Sequence, residues 1–176
     1  MTKALRTLGL AALLTSAPAF ADTSAAAIKA AFIYNFAKFV EWPSGTFADA
    51  RSPLEICVSG AVLEGRLQQL AGREAQGRSI HVRSVGSGDA VQGCHILVLG
   101  DIPAGDRNQL LQAIGRSAIL TIGDSGAFPK EGGMIGLFVA ANRVQFSVNL
   151  GAAQGAGLKL SARMLQLAYS VQGGQP

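Results

Sequence analysis

Two cysteines, two histidines and the two Gly-Asp pairs that come just after strand-like runs are the residues of this chain whose types could do chemistry. Cys57 and Cys94 could form a disulfide or stand as two buried thiols. His81 and His95 could ligate a metal, but each falls in a strand-like run without ligand spacing. Gly100-Asp101 and Gly123-Asp124 each follow a strand-like run, where α/β proteins often place functional acids. The same pairs also suit a simple turn, glycine allowing it and aspartate capping the next segment. "GSGD" at Gly86 to Asp89 lacks the strand-then-helix setting and the Lys-Ser/Thr of a phosphate loop. No nucleophile elbow, HExxH or paired-cysteine redox motif is present. The residues therefore nominate no catalytic centre, no metal site and no cofactor, and the expectation is a protein that is not an enzyme.

The first 21 residues explain why the cysteines should pair. "MTKALRT" is a basic segment, "LGLAALL" a short apolar run, and Ala19-Phe20-Ala21 an A-x-A cleavage site, the order of a secretory signal peptide. Its apolar run is too short for a membrane anchor, which needs about 20 residues. Residues 22–176 are then expected as one exported domain, beginning at Asp22. Lys3 and Arg6 leave with the signal, which takes the formal net charge from +4 to +2. The remaining arginines are scattered and carry no interleaved aromatics, so nucleic acid is a poor partner. An oxidising compartment favours a Cys57–Cys94 bridge over two free thiols.

Around these residues the chain alternates strand and helix. "PLEICVSG", "RSIHVRSV", "CHILVLG" and "SAILTIGD" read as strands, and "AVLEGRLQQL" and "AGDRNQLLQAIG" as helices. The pattern predicts an α/β fold: a single layered domain with a central, partly parallel sheet flanked by helices. "HILVL" and "AILTI" are apolar on both faces and belong at the centre, whereas "IHVRSV" alternates and belongs nearer an edge. "GGMIGLFVA" and "RVQFSVNL", separated by Ala141-Asn142, predict a C-terminal antiparallel β-hairpin with Val144, Phe146 and Val148 inward. Two terminal helices complete the chain, "LGAAQGAG" and "SARMLQLAYSV", the second capped by Ser161.

The stretch "AAFIYNFAKFVEWP" belongs to a helix from Ser24, its cap, to Trp42, stopped by Pro43. Ile28, Phe32, Phe36, Phe39 and Val40 recur at three- and four-residue spacing, which assigns them a core-facing stripe. Asn35 falls within that arc and reads as a buried amide bonded to a neighbouring loop or strand end. Tyr34 and Trp42, nearer the rim, are free to touch a partner.

Taken together, these segments resemble the YfiR family of periplasmic proteins. The match runs in order from "AAFIYNFAKFVEWP" through "PLEICVSG", "CHILVLG", "ILTIGD" and "GGMIGLFV" to "RVQFSVNL" and "GLKLSARMLQLA". The resemblance implies a small periplasmic α/β domain, often a homodimer, that represses an inner-membrane diguanylate cyclase by binding its periplasmic sensor region. It also implies an OmpA-like outer-membrane lipoprotein that sequesters the repressor, so that cyclic-di-GMP and biofilm formation rise. The family's disulfide carries over onto Cys57 and Cys94. A second cysteine pair, which some relatives have near the segment matching "FPKEGGMI", is missing from this chain. The alternative is a small-ligand-sensing module, with a crevice near the two Gly-Asp pairs, feeding another membrane protein such as a histidine kinase.

A partner surface is expected where the hairpin leaves one side solvated. Phe138, Arg143, Gln145 and Ser147 point outward there, beside a shallow groove at Ala153, with Tyr34 and Trp42 as a second patch. Intact-mass measurement on envelope protein should return a chain beginning at Asp22; a product retaining Met1 would reject the signal-peptide assignment.

Overall fold

The computed structural model describes residues 19–174, with side chains from Ala25 onward. The signal segment lies mostly outside those residues. The chain opens with α1 (Ala19–Phe39) and passes directly into the two-residue strand β1 (Val40–Glu41). Then come β2 (Leu54–Ser59), α2 (Ala61–Leu67), β3 (Glu74–Ala75), β4 (Arg78–Ser84) and β5 (Ile96–Leu99). The second half holds α3 (Ala104–Ile114), β6 (Leu120–Gly123), β7 (Ile135–Ala140) and β8 (Arg143–Asn149). It closes with α4 (Leu150–Gly155), β9 (Lys159–Leu160), α5 (Ala162–Gln166) and β10 (Ser170–Gln172).

Eight strands form one sheet in the order β10-β8-β7-β6-β5-β2-β4-β3. Strands β4, β2, β5, β6 and β7 run parallel, β8 returns antiparallel, and β10 lies parallel to β8. The all-apolar β5 and β6 are central, as buried parallel strands require. The two-residue hairpin turn places Ala141 and Asn142 at φ of 48° and 58°, the pair of left-handed conformations that matches strand twist.

Both faces of the sheet are covered. Ile56, Val58, Val98, Ile122, Leu137 and Phe146 pack under α1, α2, α4 and α5. Cys57, Leu97 and Leu99 pack on the other face under α3 and Phe128. Phe128 lies flat where the sheet has no side chains: a Cβ on Gly123 or Gly133 would meet its ring at 2.3 Å or 2.1 Å. Among the described residues no helix is long and apolar enough to cross a membrane.

Several sequence expectations need correction. The first helix runs N-terminal of Ser24, so Ser24 does not cap it, and it ends at Phe39, ahead of Trp42 and Pro43. Its C-terminal carbonyls are capped from a distance: Gln76 Nε2 donates to Ala37 O at 2.7 Å and Val40 O at 2.8 Å. The buried side of α1 carries Ala26, Ala30, Ile33, Phe36 and Ala37. Small alanines let the helix backbone approach the sheet, and this turns the neighbouring side outward. Ile28, Asn35 and Phe39 are therefore exposed and Phe32 half-buried, so Asn35 is not the buried amide expected and Phe39 is not core. The closing helix also stops early, at Gln166, and the chain extends into β10. Ser147 is consequently 7% exposed, its hydroxyl bonded to that of Ser170 at 2.9 Å, and does not face solvent. Ala153 is 0% exposed, because α4 lays it on the core; the cavity that opens beside α4, about 370 Å³, is lined by Ala152, Gly155 and Ala156 instead.

The bridge between Cys57 and Cys94 is present, with Cα atoms 5.8 Å apart. Cys57 sits opposite Leu97 in the parallel ladder, three positions beyond Cys94. The gap closes because Cys94 is not in the strand. It belongs to a turn over the sheet face, with its N–H bonded to Val91 O at 3.2 Å and Gly93 at φ 78°. Arg83 holds that turn, donating to the carbonyls of Ala90 and Gln92, each at 3.2 Å. Replacing both cysteines with alanine should lower the free energy of unfolding by about 4 kcal/mol on the chain-entropy account for this loop. Urea unfolding checks this, and an unchanged midpoint would refute it.

Candidate functional site

The outward turn of α1 leaves its phenylalanines at the rim of a groove. Phe32, Phe36 and Phe146 of β8 form an aromatic cluster, with ring centroids 5.1 to 6.0 Å apart. Against it, Phe39, Asn35, Arg163, Met164 and Leu167 enclose an open cavity of about 300 Å³. The far wall is held in place by a short ladder: β1 pairs antiparallel with β9, and Ser161 N donates to Phe39 O at 3.3 Å. Ser161 then caps α5, its side chain accepting from Met164 N at 3.2 Å, which fixes where Leu167 emerges.

A second cavity of about 300 Å³ adjoins the first, sharing Phe32, Phe146 and Leu167 and extending along Arg143, Val144 and Gln145 to Tyr169. Leu167 is 71% and Tyr169 70% exposed. With Phe39, 39% exposed at the first cavity, they leave large apolar side chains uncovered along the groove. The rim is cationic. From Gly132 to Pro176 the chain has no Asp or Glu, while Arg143 and Arg163 stand at the two cavities.

The sequence-predicted partner residues separate on this frame. Arg143 and Gln145 line the groove. Phe138 is half-buried, edge-on to Tyr169 at 5.5 Å. Ala153 and Ser147 lie inside. The second patch is occupied by the fold itself: Tyr34 donates its hydroxyl to Glu74 O at 2.9 Å and carries Arg73 over its ring at 4.2 Å. Trp42 Nε1 donates to His95 O at 3.3 Å. Leu167, Tyr169, Arg163 and Val144 join the site without a sequence expectation. Their signal is the period-two alternation of Leu167, Tyr169 and Val171 with Ala168, Ser170 and Gln172, which marks an extended segment and not a helix.

The crevice at the two Gly-Asp pairs also exists, about 270 Å³ beside Gly100, Asp101, Arg107 and Asp124. Its charges are largely matched internally. Asp124 accepts from Lys29 of α1, and Arg107 pairs with Glu131 at 2.9 Å. Among the described residues no group of three or more His, Cys, Asp or Glu is placed to hold a metal.

The YfiR/HmsC-like family model matches residues 26–169. The chain belongs to the YfiR/HmsC-like family. The matched span takes in α1 from Ala26 onward, the sheet up to the start of β10, and every groove residue named above. Among solved structures, the ABC domain in complex with L-Trp from Streptococcus pneumonia is similar at 8% identity and a TM-score of 0.48. That likeness covers 68% of this chain and 55% of the other, so the chain spans about half the length of that structure.

His95, next to the disulfide, is a structural member of the family fold here. It stacks on Phe47 with centroids 4.2 Å apart, and its Nδ1 accepts the Glu55 N–H at 3.0 Å. Burial pushes its pKa below the ordinary 6.5, helped by the Arg78 charge and opposed by the Thr46 carbonyl and Glu55. Below pH 6.5 the unfolded chain therefore binds a proton that the folded chain resists. Stability is full above that pH and falls as acid is added, by at most about 1.4 kcal/mol per pH unit from this one group. His95→Asn, whose Oδ1 can replace the Nδ1 acceptor, should flatten the decline between pH 6.5 and 5. Thermal midpoints across that range measure it, and an identical slope in the variant would remove His95 as the cause.

Proposed function

We propose that this protein is an exported, non-catalytic regulator that binds the periplasmic sensor region of an inner-membrane diguanylate cyclase and favours its inactive state. The observation that carries this reading is the uncovered apolar groove of α1, β8 and α5 in a YfiR/HmsC-like chain. The signal-peptide pattern, with cleavage after Ala21, and the Cys57–Cys94 bridge support a periplasmic location. Repression then arises from differential binding: the groove holds one state of the cyclase more tightly than the other. Driving the cyclase from almost wholly active to almost wholly inactive takes about 5.5 kcal/mol of such preference. Two or three well-buried anchor side chains, at about 2 kcal/mol or more each, supply that much.

An OmpA-like outer-membrane lipoprotein is proposed as the partner that relieves repression, and a homodimer as the working form. The crevice beside Arg107 supports a second reading, a module that senses a small ligand and reports to a membrane protein such as a histidine kinase.

Leu167→Glu separates interaction from folding, because that side chain contributes little to the core. Cells carrying the variant should accumulate cyclic-di-GMP as a deletion strain does, while the purified protein keeps its thermal midpoint within about 2 °C, since a surface change costs little stability. Unchanged cyclic-di-GMP would overturn the groove as the regulatory surface.

A further inference from the structure

The groove ends on a strand that is only half paired, and this suggests how a partner is gripped. In the two-residue hairpin, Arg143 opposes Ala140, Gln145 opposes Phe138 and Ser147 opposes Gly136. The pair next to such a turn exchanges both hydrogen bonds, so Arg143, Gln145 and Ser147 direct their backbone groups at β7. Val144, Phe146 and Val148 therefore direct theirs the other way. Tyr169 N indeed donates to Phe146 O at 2.8 Å, and Asn149 N turns back to Met134 O at 2.7 Å. The parallel strand β10 begins opposite Ser147. Val144 is registered with Val139 of β7, but on its other side no strand is paired with it among the described residues, and it lines the second cavity.

A second observation marks the same place. Gln145 Oε1 is buried and has no hydrogen-bond partner among the described residues, although its side chain lines that cavity. A buried acceptor left without a donor costs about 1–3 kcal/mol, and an incoming N–H would recover it.

We propose, building on the regulatory reading above, that an extended segment of the partner protein adds to the sheet as a strand alongside Val144, in line with β10. Its backbone pairs with Val144 and its N–H groups reach Gln145 Oε1. An apolar side chain enters the pocket of Phe32, Phe146 and Leu167, and carboxylates on the segment meet Arg143 and Arg163. Charge selects this occupant. A second copy brought edge to edge would set Arg143 and Arg163 against their own counterparts, with no acidic residue from Gly132 onward to offset them. An anionic membrane would satisfy the arginines but offers no N–H to Val144 or Gln145. Main-chain pairing gives affinity in this mode and the side-chain pocket gives specificity.

The probe is a fluorescein-labelled octapeptide alternating valine and threonine around a central leucine, with aspartate at each end, titrated against the folded protein by anisotropy. Binding should be saturable, should slow amide hydrogen exchange at Val144, and should weaken about tenfold or more when the aspartates become lysines. Val144→Pro removes the free N–H without touching the β7 ladder and should weaken binding by a similar factor, with the variant's thermal midpoint measured alongside. Peptide bound equally by wild type and a folded Val144→Pro variant, no binding to wild type, or self-association through this edge would overturn strand addition. So would tighter binding to phosphatidylglycerol vesicles that does not depend on Val144. The cellular assay separates groove from strand. Derepression by Leu167→Glu but not by Val144→Pro leaves the groove standing and sinks strand addition; derepression by neither sinks both.

Discussion

The close seat of α1 on the sheet governs the rest of this molecule. Ala30, Ile33, Phe36, Ala37 and the following Val40 are buried in the core on one side of the chain, mostly small or compact side chains with a single phenylalanine among them. Once that side is inside, geometry leaves Phe32 and Phe39 no place but the border, since residues one position apart are about 100° apart around a helix. Phe146 meets Phe32 and Phe36 there, and the β1–β9 ladder brings α5 across to complete the wall. The groove is thus a by-product of efficient core packing. Aromatic surface excluded from the interior by alanine remains available to another chain.

Most of the architecture is legible in the sequence because its signals are local. β2, β4, α3 and the hairpin come directly from apolar period and turn residues, and the central place of β5 and β6 from their lack of a polar face. Rotation is what the sequence conceals. Phe32, Phe36 and Phe39 form a convincing stripe, and so does Ala26, Ala30, Ile33 and Ala37; the fold buries the second and, of the first, Phe36 alone. Asn35 moves from inside to outside for the same reason. The tail differs for another cause: the Ser161 cap points to a long closing helix, yet the alternation of "LAYSV" fits a strand, and the strand wins. The groove expected at Ala153 rests on the small side chains of the short helix, and α4 turns Ala153 inward while Ala152 and Gly155 line the cavity beside it. The disulfide is legible in its partners but not in its path, which depends on a turn that the strand pattern of "CHILVLG" masks.

The Gly-Asp crevice and the α1–β8–α5 groove differ in character. At the carboxyl ends of the parallel strands, where α/β folds often take ligands, Gly60 and Gly100 press backbone to backbone: a Cβ on Gly60 would lie 3.0 Å from Asp101 N. Lys29–Asp124 and Arg107–Glu131 then span what opening remains. The α1–β8–α5 groove has the opposite makeup, with apolar walls, unmatched cations and a bare length of strand. One region is crossed by ion pairs yet keeps the buried Arg107 Nε without a partner among the described residues, and the other has apolar walls and leaves Gln145 Oε1 without one.

The bridge between Cys57 and Cys94 has a consequence for assembly. A chain with two cysteines admits one intramolecular pairing, so its maturation calls for an oxidant but no reshuffling of wrong bridges. Both cysteines also precede β6, β7, β8 and β10 in the chain. The bridge between them therefore closes within the first half of the sheet, and no residue of the later strands takes part in it. The later strands lie outside the bridged loop, and β10, the last, begins only opposite Ser147, which leaves the start of β8 at the edge of the sheet.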